Sequence, residues 1–492
     1  MSALVAVLVL PLAGALAAVA LPDRAARPAA LMAVAGALAA ALALVAVVAA
    51  GDVPRLRVGG WTPPVGIVLA GDGLAAAMVL MVALVIGTVA WVARSAMAAE
   101  RVGARASFGF WPLTLLLWSA LNVVFVSRDL FNLYVGIELL GLAAVGLVAI
   151  EGRPAALAAA MRYMVFALVG SLLYLAGVAL VYAAHGALDM DLLAARTPAG
   201  TDALALALMT VGLMAKTALF PFHVWLPPAH AGAPAPASAM LSALVPKASF
   251  LIALRLWTEV MPDTASQAAL TLIGALGTLA VVWGSLCALV QTRAKLIVAY
   301  STVAEIGYLF VVFPLLPIAA GAWNGVVFLA LSHGLAKAAM FLAVGQWMRA
   351  AGGDRLDDLR GMARAMPMTS FAFGLAAVTL AGLPPSGGFT GKYLVMTAAF
   401  TSGQWGWALV VLLGGLLTAA YLYRVIAALF AERAERVERA EPAGCAAAAQ
   451  GRGAALAPFV LAGCAIALGL ASAGLLDLVA VGRPAPIAGD TP

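Results

Sequence analysis

Fourteen times along its length this chain runs for about 18 residues or more with hardly a charge, and each such run is long enough to cross a bilayer as an α-helix. The runs begin near Ala3, Pro28, Ala70, Ser107, Leu130, Leu157, Ala203, Ala237, Gln267, Leu296, Trp323, Pro367, Gly406 and Ala455. Backbone in hydrocarbon has no water to bond to, so only helices and closed barrels span a membrane, and unalternating runs of this length are helical. The chain therefore reads as an all-α integral membrane protein in a lipid bilayer. Composition excludes the soluble alternative: 65% of residues are hydrophobic and 10% charged, where a soluble domain carries about 25% charged residues. The net charge of +6 does not point to nucleic acid, because the basic residues are spread thinly between apolar runs. The first twenty residues are apolar without a basic leader, and read as the first membrane helix rather than a cleaved signal.

Loops after odd-numbered runs hold 17 of the 23 arginines. Positively charged loops stay in the cytoplasm, so both termini are expected on the outer face of a bacterial inner membrane. The longest polar stretch, AERAERVERAEP after the thirteenth run, reads as a short juxtamembrane helix with Glu and Arg at i, i+3 spacing. Cys287, Cys445 and Cys464 are too scattered for a metal or disulfide framework, and four separated histidines indicate no metal site.

All five lysines, Lys216, Lys247, Lys295, Lys337 and Lys392, lie in or at the end of apolar runs, whereas the loops use Arg alone. A buried ammonium gives up its proton readily and a guanidinium does not, so lysine is retained where a cation has to be switched. Lys295, at the start of a run, also fits snorkelling toward a surface. Between Lys216 and Lys247 stand six prolines and two histidines, His223 and His230, in AKTALFPFHVWLPPAHAGAPAPASAMLSALVPK. A helix broken at membrane depth beside two amines is a functional-site hypothesis by default.

The break has a counterpart. Runs 4–8 and 9–13 each carry a Glu in the second helix, Glu138 and Glu305, and a Lys beside a proline interruption in the fourth, Lys216 and Lys392. Five-helix blocks have opposite membrane sense, which is the pattern of an inverted repeat with broken helices. The expected division is residues 1–106 (N-terminal helices), 107–257 and 258–432 (the two repeats), and 433–492 (juxtamembrane segment and last helix).

Glu138 and Glu305 are the carboxylates well inside apolar runs, and His333 with Lys337 falls on one helix face at i, i+4. Glu138, Lys216, Lys247, His333, Lys337 and Lys392 form a series suited to passing protons, since a carboxylate near a buried lysine holds it charged until the carboxylate moves or is neutralised. Static ion pairs are the competing reading. Glu305, His223 and His230 are auxiliary candidates, the histidines as relays, caps of freed carbonyls or a stack on Trp225. GFTGKY around Lys392 departs from a phosphate-binding loop, with Ser386 for its first Gly and Tyr393 for its Ser/Thr. No cofactor is expected.

The stretches DLFNLYVGIELL, AKTALFPFHVWLPPAHAGAPAPASAMLSALVPKA, AKLIVAYSTVAEIGYL, LSHGLAKAAMFL and LAGLPPSGGFTGKYL, in order over about Ser107–Glu432, resemble signatures of the antiporter-like subunits shared by respiratory complex I, membrane-bound hydrogenases and Mrp-type sodium/proton antiporters. A length near 490, Lys at 392 and no extension past the fourteenth run look most like the D subunit of the Mrp type. The resemblance implies that Glu138 partners Lys216 at an input half-channel, that Lys247 and the His333–Lys337 region form a central relay, and that Lys392 is the terminal proton site. Glu305 departs from the family's pattern, where an uncharged polar residue or His is expected. The implied function is a proton-translocating subunit that works among other membrane subunits and exchanges protons for Na+ or another monovalent cation. The alternatives are the pumping, non-redox subunit of a quinone- or hydrogen-linked oxidoreductase, the membrane subunit of an inorganic-carbon uptake complex, and a passive scaffold.

Overall fold

The computed structural model describes residues 2–97, 103–432 and 452–483, which are overwhelmingly helical. The expected juxtamembrane helix and Cys445 lie outside the described residues. Thirteen helices among those described are long and apolar enough to cross a membrane, and a shorter apolar helix, Pro367–Ala381, is the first half of a broken fourteenth.

Helices α1 (Ala3–Ala20) and α2 (Asp23–Ala49) pack as a hairpin beside the bundle. The run starting at Ala70 becomes helical only at α3 (Gly73–Ala96), because Val68–Ala70 is taken up as strand β2, paired antiparallel with β1 (Arg55–Arg57), and Asp72 then caps α3 by accepting from Ala75 N at 2.8 Å. Next come α4 (Ala104–Val126), α5 (Leu130–Ala149, capped by Asp129) and the 32-residue α6 (Pro154–His185), which ends on a left-handed glycine, Gly186.

The first break follows. Helix α7 (Asp202–Thr217) stops at Ala218, and the chain resumes through a tight turn at Phe222–Trp225 into α8 (Leu226–Gly232), α9 (Ala235–Ala243) and α10 (Val245–Arg255). Pro221, Pro227, Pro228, Pro234, Pro236 and Pro246 lack the N–H groups that a continuous helix would need here. Then come α11 (Gln267–Val290), α12 (Ala294–Val311) and α13 (Ala320–Ala351). The second break separates α14 (Pro367–Ala381) from α15 (Gly387–Thr401), whose start is capped by Ser386. Helices α16 (Trp405–Phe430), α17 (Arg452–Leu470) and α18 (Ser472–Ala480) complete the described chain.

Burial sorts these helices into layers. The apolar windows of Ala235–Val260 and of α13 are wholly inside the molecule, whereas only about a third of those of α1, α2 and α17 is buried. The exposed side chains of the outer helices are largely Leu, Val, Phe and Trp, as a hydrocarbon surround requires. The central helices are the ones that carry Lys247, His333 and Lys337, so the most buried positions of the fold are given to titratable side chains.

Candidate functional site

Glu138 lies mid-way along α5 and Lys216 in the last turn of α7, and the structure brings them together: Lys216 Nζ stands 3.1 Å from Glu138 Oε1 and 3.3 Å from the Ile137 carbonyl. Ser171 of α6 donates to the same carboxylate oxygen. The Lys216 side chain is 6% exposed and that of Glu138 24%, so the pair sits at the rim of the core with its acid the less covered partner. A small cleft opens beside Lys216, and another beside His230; they share Tyr163 and Val245 as walls.

Three other lysines are held by backbone carbonyls, two of which lack a helical donor because proline stands four residues on. Pro246 has no N–H for the Ser242 carbonyl one turn back, and Lys247 Nζ donates to that oxygen at 2.9 Å. Pro384 likewise leaves the Leu380 carbonyl without a helical donor, and Lys392 Nζ takes it at 2.6 Å. The Ala233 carbonyl, stranded between Pro234 and the end of α8, accepts from Lys295. Lys295 is therefore buried inside the bundle rather than snorkelling from a helix end. Intramembrane cations commonly settle on backbone carbonyls, and the prolines that break the helices create two of those acceptors.

Helix α12 gathers the remaining groups on one face. Val298, Ser301, Thr302, Glu305 and Tyr308 recur at helical spacing. Lys337 Nζ donates to Val298 O at 3.1 Å and to Ser301 Oγ; Thr302 bonds Ser242 Oγ at 2.8 Å, next to the Lys247 acceptor; and Lys392 lies over the Tyr308 ring, 4.4 Å from its centroid. Glu305 is buried, accepts from Thr418 of α16 at 3.3 Å, and acts electrostatically on Lys247, Lys337 and Lys392. His333 shares the α13 face with Lys337, and neither of its ring nitrogens has a hydrogen-bond partner among the described residues. Its neighbouring charges are Lys247, Lys337 and Lys392.

The two auxiliary histidines separate. His230 is buried under the Phe341 ring (4.8 Å) and within the field of Lys295, Lys337 and Lys247. His223 stacks on Phe220 (5.5 Å) rather than on Trp225, which instead lies flat on Tyr163 at 4.1 Å and caps the freed Ala215 carbonyl at 3.0 Å. Among the described residues no group of three or more His, Cys, Asp or Glu side chains is placed to hold a metal.

Sequence reasoning missed one feature. At one end of the bundle Arg255 bridges Asp72 (2.7 Å) and Glu259 (3.0 Å), Arg128 joins Glu259 (2.7 Å) to Asp191 (2.6 Å), and Arg55 completes the row on Asp191 (2.8 Å). This cluster ties α3, the α4–α5 link and α10 together. Asp72 and Arg255 are 183 residues apart in the chain, and the local signal was no more than Arg255 inside an apolar run. Burial alone would push the Asp191 carboxyl up, but Arg128 and Arg55 outweigh it and hold the group below the usual carboxylate range.

Comparison with known proteins follows the same outline. Residues 127–418 match the family described as NADH:quinone oxidoreductase/Mrp antiporter, transmembrane. The chain is 36% identical over 395 residues to the N subunit of NADH-quinone oxidoreductase from Desulforudis audaxviator, covering 78% of this chain and 77% of that one. It is 30% identical over 377 residues to the D subunit of the Na(+)/H(+) antiporter from Alkalihalophilus pseudofirmus, covering 75% and 74%. Among solved structures, a chain of the Mrp complex from Dietzia sp. superposes with a TM-score of 0.87 at 28% identity, over 98% of this chain and 96% of its own. An all-α membrane bundle with two broken helices, an intramembrane Glu–Lys pair and a match over more than half its length, the chain belongs to the membrane-subunit family shared by NADH:quinone oxidoreductases and Mrp antiporters.

Proposed function

We propose that this chain is the proton-translocating subunit of a multi-subunit monovalent cation (Na+)/proton antiporter, seated with other membrane subunits in a bacterial inner membrane with both termini outside. The observation that carries the reading is the Glu138–Lys216 pair at 3.1 Å, placed where α7 breaks. From there Lys247, His333, Lys337 and Lys392 continue inward and along α12. When the Glu138 carboxylate leaves, the Lys216 ammonium loses its counter-charge in a poorly solvated site and releases its proton inward; when the carboxylate returns, the amine recharges. Each charge change alters the next site's hold on its proton, so coupling to a partner is electrostatic. His230, which lines the second cleft and lies in the field of Lys295, Lys337 and Lys247, is the relay toward Lys295. His223, stacked on a ring, is assigned packing.

The test is Lys216→Ala and Glu138→Ala in the assembled complex in vesicles. Cation-driven proton movement is expected to fall by roughly a hundredfold or more in each; normal transport in both would end the reading.

The 36% identical relative named as a subunit of NADH-quinone oxidoreductase supports a second reading, the pumping subunit of a complex I-like enzyme. The polypeptides that co-purify decide between them: small antiporter subunits favour exchange, and iron–sulfur subunits favour the oxidoreductase.

A further inference from the structure

The two halves of the site differ in how their acid is used. In the first, Glu138 is already closed on Lys216. In the second, Glu305 makes one hydrogen bond among the described residues, from Thr418, and no ion pair, although its charge reaches three lysines. Those lysines rest on other acceptors: Lys247 on Ser242 O, Lys337 on Val298 O and Ser301, and Lys392 on Leu380 O.

The positions along α12 make this arrangement specific. Lys337 meets the helix at Ser301, four residues before Glu305, and Lys392 meets it at Tyr308, three residues after. At about 1.5 Å of rise per residue the carboxylate stands about 6 Å from one lysine's anchor level and about 4.5 Å from the other's. A lysine has four methylenes and rotatable donors, which gives each ammonium reach along the helix from its carbonyl toward the carboxylate. The two anchor levels lie about 10.5 Å apart along the helix, so a carboxylate between them closes on one ammonium at a time. Thr418 is itself held by Tyr421, whose hydroxyl donates to Thr418 Oγ1 at 3.1 Å, so the resting position of Glu305 is defined by α16 rather than by either lysine.

We propose that Glu305 is a second acidic proton site that pairs alternately with Lys337 and Lys392 and carries the proton between them. The proposal rests on the proton-transport reading above. The step balances: a Lys337 N–H bond breaks as a Glu305 O–H bond forms, and that O–H then breaks as an N–H bond forms on the neutral Lys392 amine. Lys337 is left as the amine, Lys392 as the ammonium and Glu305 again as the carboxylate. The Thr418–Tyr421 pair is a positioning device that returns the carboxylate to its midway place. The other groups facing Glu305 are Lys247, Tyr308 and Tyr421.

The experiment compares Glu305→Gln, Glu305→Asp and Thr418→Val in the assembled complex, with Glu138→Gln as reference, each checked for intact assembly before proton movement is measured in vesicles. Glu305→Gln, which keeps the shape and the Thr418 contact, is expected to lose transport by roughly tenfold or more, while Glu305→Asp retains a measurable fraction. Difference infrared spectra recorded on a pH jump are expected to show a carboxyl band that is absent in Glu305→Gln and displaced in Thr418→Val; a merely structural acid would give no such band. Glu305→Gln transport within about twofold of the unaltered complex, or no Glu305 band, overturns the proposal. If Glu138→Gln also transports normally, the proton-transport reading fails as a whole; if Glu138→Gln is inactive and Glu305→Gln active, only the role of Glu305 falls. Should Glu305→Gln not assemble, Glu305→Asp and the Thr418→Val band decide: an unchanged spectrum in both overturns it.

Discussion

At the scale of single residues, the recurring device is a proline that removes one N–H and a lysine that takes the carbonyl left behind, at Pro246 with Lys247 and at Pro384 with Lys392. Pro246→Ala supplies the missing N–H to Ser242 O. The helix becomes more regular, while Lys247 loses a charge-assisted bond of about 1.5–3 kcal/mol. The expected outcome is a melting temperature that does not fall together with proton transport that does; unchanged transport would show that the carbonyl does not matter to Lys247. Arg255→Ala has the opposite signature. It leaves Arg128 as the cation for both buried acids, 2.7 Å from Glu259 and 4.0 Å from Asp72, a loss of up to about 3–5 kcal/mol that thermal unfolding of the complex should register. Asp191, at the exposed edge of the same cluster, adds a small pH-dependent share. Its carboxyl is held below its ordinary value, so its contribution is complete above about pH 4 and drains away as the pH falls through the lowered value. Arg55→Ala should flatten that acid limb.

At the scale of elements, the two breaks are built alike but not from the same residues. Each first half-helix ends on a left-handed residue, Ala218 (φ 63°) after α7 and Gly382 (φ 79°) after α14. Alanine in that conformation costs about 1–2 kcal/mol, which its surroundings have to offset. At Gly382 the same substitution would also press a Cβ against the Lys392 side chain. Gly382→Ala is therefore expected to destabilise the complex by at least about 1–2 kcal/mol and to reduce transport by displacing Lys392; a variant with normal stability and transport would refute the close fit. A second close approach holds α12 in place: Gly277 of α11 and Gly307 of α12 face each other so tightly that a Cβ on either would meet the other's carbonyl. Small residues at such crossings let helices approach where no hydrophobic drive exists between them, and this crossing lies two residues from Glu305.

At the scale of the molecule, charged groups are segregated by depth. The Asp72–Arg255–Glu259–Arg128 cluster closes one end, and the lysines, His333 and Glu305 occupy the bundle interior. In the proposed orientation the cluster's end faces outside. Reporter fusions at the two termini are expected to read the outer face, and a cytoplasmic signal from either would invert the assignment.

The number and kind of helices were legible without a structure, because a bilayer accepts only one reading of fourteen long apolar runs. So were the break beside Lys216 and its answer beside Lys392, since proline acts on the backbone within one turn. The Glu138–Lys216 contact was implied by the family resemblance, and the fold brings the two side chains together across 78 residues. Three things needed tertiary structure. Lys295 looked like a helix-end cation until α8 and α9 covered it. The ion cluster joins segments whose local sequence carries no common mark. The place of Glu305, between the α12 levels where Lys337 and Lys392 are anchored, depends on how α12, α13, α15 and α16 rotate against one another. Helix formation is decided by bonds that a stretch makes with itself; which faces meet is decided by packing that no single stretch contains.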